Sequence, residues 1–398
     1  MRWLAPVVLL GLSQCTRPEC TPPGYWIPEC RVIAENELAQ LKNSDGVEVR
    51  FQDPNTSRTG SWEATGLVQL ADDGSFLARV AGLGGFRLSV HRNDGPGQVA
   101  ISIDNVHPDI PPLDGEVERV GLIRRLELSL TESVVEIRGE LPGSICAGAY
   151  RIAAVADIQT NPLQFGRIIE ELHNEEADGV PLLGMLLLGD VAELGTREEM
   201  QYVADLMAAS PVPIALTAGN HDVYSDRDAV FNEVFGPGNH AFDVCDARVV
   251  LVDTGSGYLA ASIRGRLNAL MKTDRQFLIA GMHHPPFPGR TSSGWTKEDQ
   301  AQQLVAELAA NDGDLLLAGH LHQRLQNDNT PVPQIIVGTA GASQFAVDPD
   351  YGFLRMTFED KKLETCFVSV PAPGSPGGHE RKRGPDNCPF TVGAQNGK

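Results

Sequence analysis

The chain has 398 residues, 42% of them hydrophobic and 21% charged, with a formal net charge of -20. Such a length and composition describe a globular protein with one large core or two ordinary ones. The charge argues against a nucleic-acid or anionic-lipid partner, and residues 150 to 360 are themselves acidic, with 13 Lys and Arg against 29 Asp and Glu; a bound cation reverses that sign locally.

The N-terminus reads MRWLAPVVLLGLSQC, one arginine and then an apolar run too short to span a bilayer, which is the pattern of a secretory signal over residues 1–15. Its last residues, LSQC, resemble the lipobox of bacterial lipoproteins, and the resemblance implies a lipid anchor through Cys15, with Gln14 where a small residue is usual. Two destinations stay open: the bacterial cell envelope, as a lipoprotein of the periplasm or outer membrane, or secretion after ordinary cleavage. Setting Cys15 aside leaves Cys20, Cys30, Cys146, Cys245, Cys366 and Cys388, an even number suited to an oxidising compartment. Proximity pairs Cys20 with Cys30 and Cys366 with Cys388 and leaves Cys146 for Cys245, one of fifteen connectivities. No CxxC occurs, so a structural zinc site or a thioredoxin-type motif has no support.

Within a first domain taken as residues 31–145, apolar residues alternate from about 46 to 140. VQLADDGSFLARV sets a DDG turn between two alternating runs, and RRLELSLTESVVEIRGEL repeats the arrangement around Thr131 to Ser133. This half predicts an antiparallel β-sandwich, with PDIPPLDG, 108 to 115, as an inter-strand loop.

Residues 149–370 follow another grammar. YRIAAVA, LLGMLLLG, VPIALTAG, FLIAGM and DLLLAG are near-continuous apolar runs, as strands covered on both faces are, with helical patterns between several of them. Asn161–Pro162 opens a helix with Phe165, Ile168, Ile169 and Leu172 on one stripe; Thr196 and Glu199 form a capping box ahead of Met200, Val203 and Met207. The fold expected here is α/β. Residues 371–398, rich in Pro and Gly, read as a flexible tail.

Each apolar run ends on polar side chains: Asp157 and Gln159, then Asp190, then Asn220, His221 and Asp222, then His283 and His284, then His320 and His322. The C-terminal edge of an α/β sheet is where side chains from separate strands converge on a ligand. Carboxylate, amide and imidazole donors without thiolates suit manganese, iron or zinc, and they are too many for one tetrahedral ion. His91, His107, His173, His240 and His379 read as surface or loop residues, of which His240 lies in a segment that could approach the site. Trp295 and Arg290 read as residues of a plain surface loop, with a substrate-contacting loop as the alternative.

ADIQ, LLGDVAE, AGNHD, MHHPPF and AGHLH, in that order, resemble the five blocks of the calcineurin-like metallophosphoesterases, and NHAFDVCDARVVLVDTG resembles the strand pair between their third and fourth blocks. The resemblance covers roughly 149 to 362. It implies a two-sheet β core flanked by helices and two divalent ions, manganese or iron ahead of zinc with zinc still open, bridged by Asp190. Asp157, Gln159 and His322 would hold the first ion, and Asn220, His283 and His320 the second. It implies hydrolysis of a small phosphorylated substrate, a mono- or diester, by a metal-bridging hydroxide, with His221 as the acid and Asp222 orienting its imidazole or holding the loop. Because neighbours on a strand point to opposite faces, His284 is expected to point away. Gln159 stands where the family has histidine, which implies loose metal binding, exclusion of zinc, or filling only with substrate. The alternative is a non-catalytic cell-envelope binding protein with a degenerate metallophosphoesterase domain; in either case the β domain could hold a cell-envelope partner.

Overall fold

In this computed structural model the described residues are 20, 27–52, 65–92, 95–130, 134–175, 179–224, 229–287, 293–344, 351–372 and 387–393. The signal segment with Cys15, the turn 131–133, Arg290 and His379 lie outside them. Among the described residues no helix is long and apolar enough to cross a membrane.

The first half opens with helix α1 (Pro28–Leu38) rather than with a strand, followed by β1 (Gln40–Lys42), β2 (Val47–Gln52), β3 (Gly66–Leu70), β4 (Phe76–Val80), β5 (Phe86–Arg92), β6 (Gly97–Asp104), β7 (Glu116–Val120), β8 (Ile123–Leu130) and β9 (Val134–Gly139). The strands form two sheets, β1-β2-β5-β9 and β3-β4-β6-β8-β7. Their alternating residues meet in one core, with Val49, Leu88 and Ile137 from the first sheet against Phe76, Ile101 and Leu126 from the second. This is the geometry of a sandwich.

Two details differ from the sequence reading. β4 and β6 pair in parallel, so only the first sheet is wholly antiparallel. β8 and β9, although joined by three residues, belong to different sheets: alternation tells which side chains face inward but not which strand is the neighbour. The DDG turn does close the β3–β4 hairpin, and 108–115 does lie in the β6–β7 connection.

The second half contains β10 (Tyr150–Val155), α2 (Pro162–Glu175), β11 (Leu182–Leu188), α3 (Arg197–Met207), β12 (Ile214–Thr217), α4 (Val230–Phe235), β13 (His240–Val244), β14 (Ala247–Val252), α5 (Ala261–Arg264), α6 (Leu267–Met271), β15 (Phe277–Met282), α7 (Glu298–Ala310), β16 (Leu315–Ala318), β17 (Arg324–Asn327), β18 (Gln334–Val337), β19 (Gly352–Glu359), β20 (Lys362–Ser369) and β21 (Asn387–Gly393). Two mixed six-stranded sheets, β12-β11-β10-β19-β20-β21 and β13-β14-β15-β16-β18-β17, pack face to face through Ile152, Leu188, Leu251, Ile279 and Leu317. Their outer faces are covered by α2 and α3 on one side and by α6 and α7 on the other. The continuous apolar runs are thereby explained, since both faces of each central strand are buried. α2 buries Phe165, Ile168, Ile169 and Leu172, and the Thr196–Glu199 capping box forms at α3. β21 lies within the segment read as a flexible tail, where it pairs with β20 as an edge strand.

Polar bonds tie the halves together. Asn105, after β6, exchanges hydrogen bonds with the backbone of Ile214 in β12, and a disulfide joins Cys146 to Cys245. A second joins Cys20 to Cys30. Cys366 is disulfide-bonded too, but the side chain of its expected partner, Cys388, lies outside the described residues. α1 packs on α4 and α5, where buried Arg31 grips the Asp253 carboxylate with Nε at 2.6 Å and Nη2 at 3.0 Å. One turn on, buried Glu35 accepts the N–H groups of Gly238 and Asn239.

Candidate metal centre

β10, β11 and β12 run parallel to one another, as do β14, β15 and β16, so the polar residues after them open at the ends of two parallel sets. Leaving a buried strand abruptly forces unusual backbone: Asp157, Asp190, His320 and His322 have φ of 64°, 55°, 73° and 46°, a region that non-glycine residues seldom enter. Hydrogen bonds hold these turns, Asp157 N–H donating to Gly189 O and Ile158 N–H to Asp190 O. Glycine is required beside them, because a Cβ on Gly219 would stand 2.2 Å from Asp190 Oδ1.

The side chains converge. His283 Nε2 lies 3.1 Å from Asp190 Oδ2 and 3.1 Å from Asn220 Oδ1, which in turn is 2.9 Å from His320 Nδ1. His322 Nε2 lies 3.6 Å from Asp157 Oδ1, and ligand atoms of Asp157, Asp190 and His283 fall within 4.8 Å of one another. Outer hydrogen bonds set the tautomers: His283 Nδ1–H donates to Leu188 O and His322 Nδ1–H to Ser343 O, which turns each Nε2 lone pair toward the cluster as in metal-bound histidine. Gln159 is buried, and its Oε1 has no hydrogen-bond partner among the described residues. An unpaired amide oxygen there costs about 1–3 kcal/mol unless something positive meets it. This donor set fits divalent cations.

Electrostatics point the same way. Burial pushes Asp157 up to about 8, with the charge of Asp190 adding to it, while Asp190 is drawn down to about 2 by His283 against its own burial. His283 rises to about 9 because the charges of Asp190 and Asp157 outweigh the effect of burial. His320 falls to about 4, first through burial and then through repulsion by His283. A cation among these groups takes over the role of the proton on His283 and lets both carboxylates ionise.

The structure chooses between two roles for Asp222 and departs from expectation at His284, Trp295, His240 and His107. Asp222 does not touch the His221 imidazole; its carboxylate accepts backbone N–H groups of Asp190, Val191, Ala192 and Gly219, so of its two expected roles it has the loop. His221 Nδ1–H donates to Glu193 O at 2.7 Å instead, with its ring 4.7 Å from that of Tyr224. His284 points into the cluster, 4.5 Å between ring centroids from His320, because β15 ends at Met282 and strand alternation no longer governs residues 283 and 284. Trp295 is buried, and its indole N–H donates to His284 O. Sequence reasoning passed over Arg31 and Thr254: Thr254 Oγ1 accepts the N–H of both His283 and His284, and the neighbouring Asp253 is the one that Arg31 grips. His240 starts β13 as a buried residue stacked on Phe242, and His107 is buried as well.

Residues 150–324 match the family model of the calcineurin-like phosphoesterases. The matched segment carries the converging residues as far as His322. Among solved structures, PhoD is 12% identical over 84% of this chain and 91% of its own, with a TM-score of 0.49. GAP50, the inner membrane complex anchor of Plasmodium, is 14% identical over 63% of this chain and 90% of its own, with a TM-score of 0.46. A dimetal phosphatase from Danio rerio is 12% identical over 62% of this chain and all of its own, with a TM-score of 0.43. No curated protein matches the sequence.

Proposed function

We propose that the protein is a metal-dependent phosphoesterase acting on a small phosphorylated mono- or diester. The observation that carries this reading is the meeting of Asp157, Asp190, Asn220, His283, His320 and His322 from five strand ends, together with the orphaned Gln159 oxygen. Asp157, Gln159 and His322 would hold one divalent ion and Asn220, His283 and His320 another, with Asp190 shared. Manganese or iron suits the neutral amide oxygen of Gln159 better than zinc does. When bound, such ions supply Lewis acidity, lowering the pKa of water and drawing charge from phosphoryl oxygens.

The chain's own groups supply the rest. His221, with Nδ1–H engaged by Glu193 O, turns Nε2 to the leaving oxygen and delivers a proton to it or stabilises its departing charge, a role contributing ~10²- to 10⁴-fold. Asp222 keeps the Asp190 turn and the Gly219 turn in register through four N–H bonds, so bridging carboxylate and acid keep their spacing. The reading extends to location: export, with a lipid anchor at Cys15, agrees with the disulfides Cys20–Cys30 and Cys146–Cys245, which persist in oxidising compartments. The β-sandwich would then face a cell-envelope partner. Turnover of an aryl phosphate mono- or diester by manganese-loaded protein, lost in His221→Ala at unchanged metal content, is the expected result. Bound metal without turnover of any ester would favour the binding-protein alternative.

A further inference from the structure

Beside the second ion position lies a pocket of about 370 Å³ lined by Asn220, Tyr224, Ser256, His284, Gly294 and His320, among others. Two imidazoles, those of His284 and His320, line it. His284 is buried, and its Nδ1–H donates to Thr254 O at 2.6 Å, so the ring's one proton is spoken for and Nε2 is an acceptor. His320 Nδ1 faces Asn220 Oδ1 at 2.9 Å, and with a cation held at Nδ1 the ring's single proton would sit on Nε2, making that nitrogen a donor. Gly294 packs closely against both rings on this side of the pocket. With φ +76°, a Cβ there would stand 2.6 Å from His284 Nε2 and 2.8 Å from His320 Nε2.

A donor and an acceptor beside one hollow are the complement of a hydroxyl group, which accepts one hydrogen bond and donates another at ~2.8 Å each. The remaining chemistry narrows the occupant. Among the described lining residues there is no carboxylate to pair with an ammonium group and no Lys or Arg to pair with a second phosphate, while Tyr224, Val223 and the glycines present apolar surface. The wall at Gly255–Gly257 is held from outside the calcineurin-like domain, since Arg31 Nη1 of α1 donates to Ser256 Oγ.

From this geometry we infer that the pocket is the subsite for the alcohol portion of the ester, that it takes a compact, uncharged, hydroxyl-bearing alcohol, and that His284 and His320 bracket one of its hydroxyls. The inference rests on the phosphoesterase reading and names a substrate class for it. His284 is a substrate-contacting residue in this account, not a metal ligand.

The test uses the full chain loaded with manganese and a matched pair of esters, glycerol 1-phosphate and propyl phosphate, which share a three-carbon skeleton and differ in hydroxyls. Phosphate release should favour the glycerol ester at least roughly tenfold in kcat/KM, because a site built to bond a hydroxyl rejects the analogue lacking it. His284→Leu should remove most of that preference, and Gly294→Ala, whose Cβ would crowd the Nε2 atoms of both imidazoles, should do the same; metal content of each variant is read by mass spectrometry. Equal kcat/KM for the two esters, or a preference that survives both substitutions, overturns the inference. If neither ester is hydrolysed, turnover of aryl phosphate mono- and diesters judges the phosphoesterase reading separately. Calorimetric binding of the same two esters then still decides the pocket: tighter binding of the glycerol ester, lost in both variants, supports it, and equal binding refutes it.

Discussion

Replacing Arg31 with methionine removes one half of an ion pair whose side chains are each only 1% exposed. Asp253 then keeps the N–H of Gly255, at 2.9 Å, but loses two charge-assisted bonds. It also faces Glu35, whose carboxyl is already pushed up to about 8 by burial and then by Asp253 itself. Breaking such a pair from one side costs about 3–5 kcal/mol, since a charge is left buried without its partner. Replacing both partners with apolar residues costs less: in Arg31→Met with Asp253→Leu the stranded charge is gone, and what remains is the unsatisfied Gly255 N–H, worth about 1–3 kcal/mol. Urea unfolding without reductant, which keeps Cys20–Cys30 intact, should therefore show a larger midpoint shift for the single than for the double variant. A loss below about 1 kcal/mol in Arg31→Met, or a double variant as unstable as the sum of two single ones, refutes this account of how α1 is fixed to the loop before His283.

Other outcomes follow from the same contacts. Glu35 has a folded-state pKa of about 8 against an ordinary 4.5, so its contribution to stability is full below pH 4.5 and is lost as pH rises toward 8; Glu35→Gln should flatten the fall in unfolding midpoint across that window. Metal affinity should rise with pH through about 8 to 9, because binding displaces protons from Asp157 and His283, and titration calorimetry in buffers of different ionisation enthalpy should register proton release. Gln159→His should tighten zinc at the first position by supplying an imidazole, measured by competition with a chelating dye. His221→Ala should lower kcat by ~10²- to 10⁴-fold with the ion content unchanged.

Much of the second half was legible because buried parallel strands announce themselves as unbroken apolar runs, and their ends must turn on polar residues. Asp157, Asp190, Asn220, His283, His320 and His322 could therefore be picked out from the sequence, and the structure brings them together. What escaped depended on where a strand stops or on contacts between distant segments. His284 was misplaced because a periodicity argument was carried two residues past Met282. Asp222 could be given two roles, and only the positions of four N–H groups choose between them. Arg31 meets Asp253 across 222 positions of sequence, and no local pattern encodes such a contact. The β8 and β9 strands look like a hairpin because both alternate, yet they feed the same core from opposite sheets.

The central claim is that these strand ends clasp two cations around Asp190. Anomalous diffraction from crystals grown with manganese tests it most directly. The account predicts two peaks, one bounded by Asp157, Gln159 and His322 and the other by Asn220, His283 and His320, with Asp190 reaching both. A single peak that leaves Gln159 unliganded, or manganese bound elsewhere with this cluster bare, would contradict it.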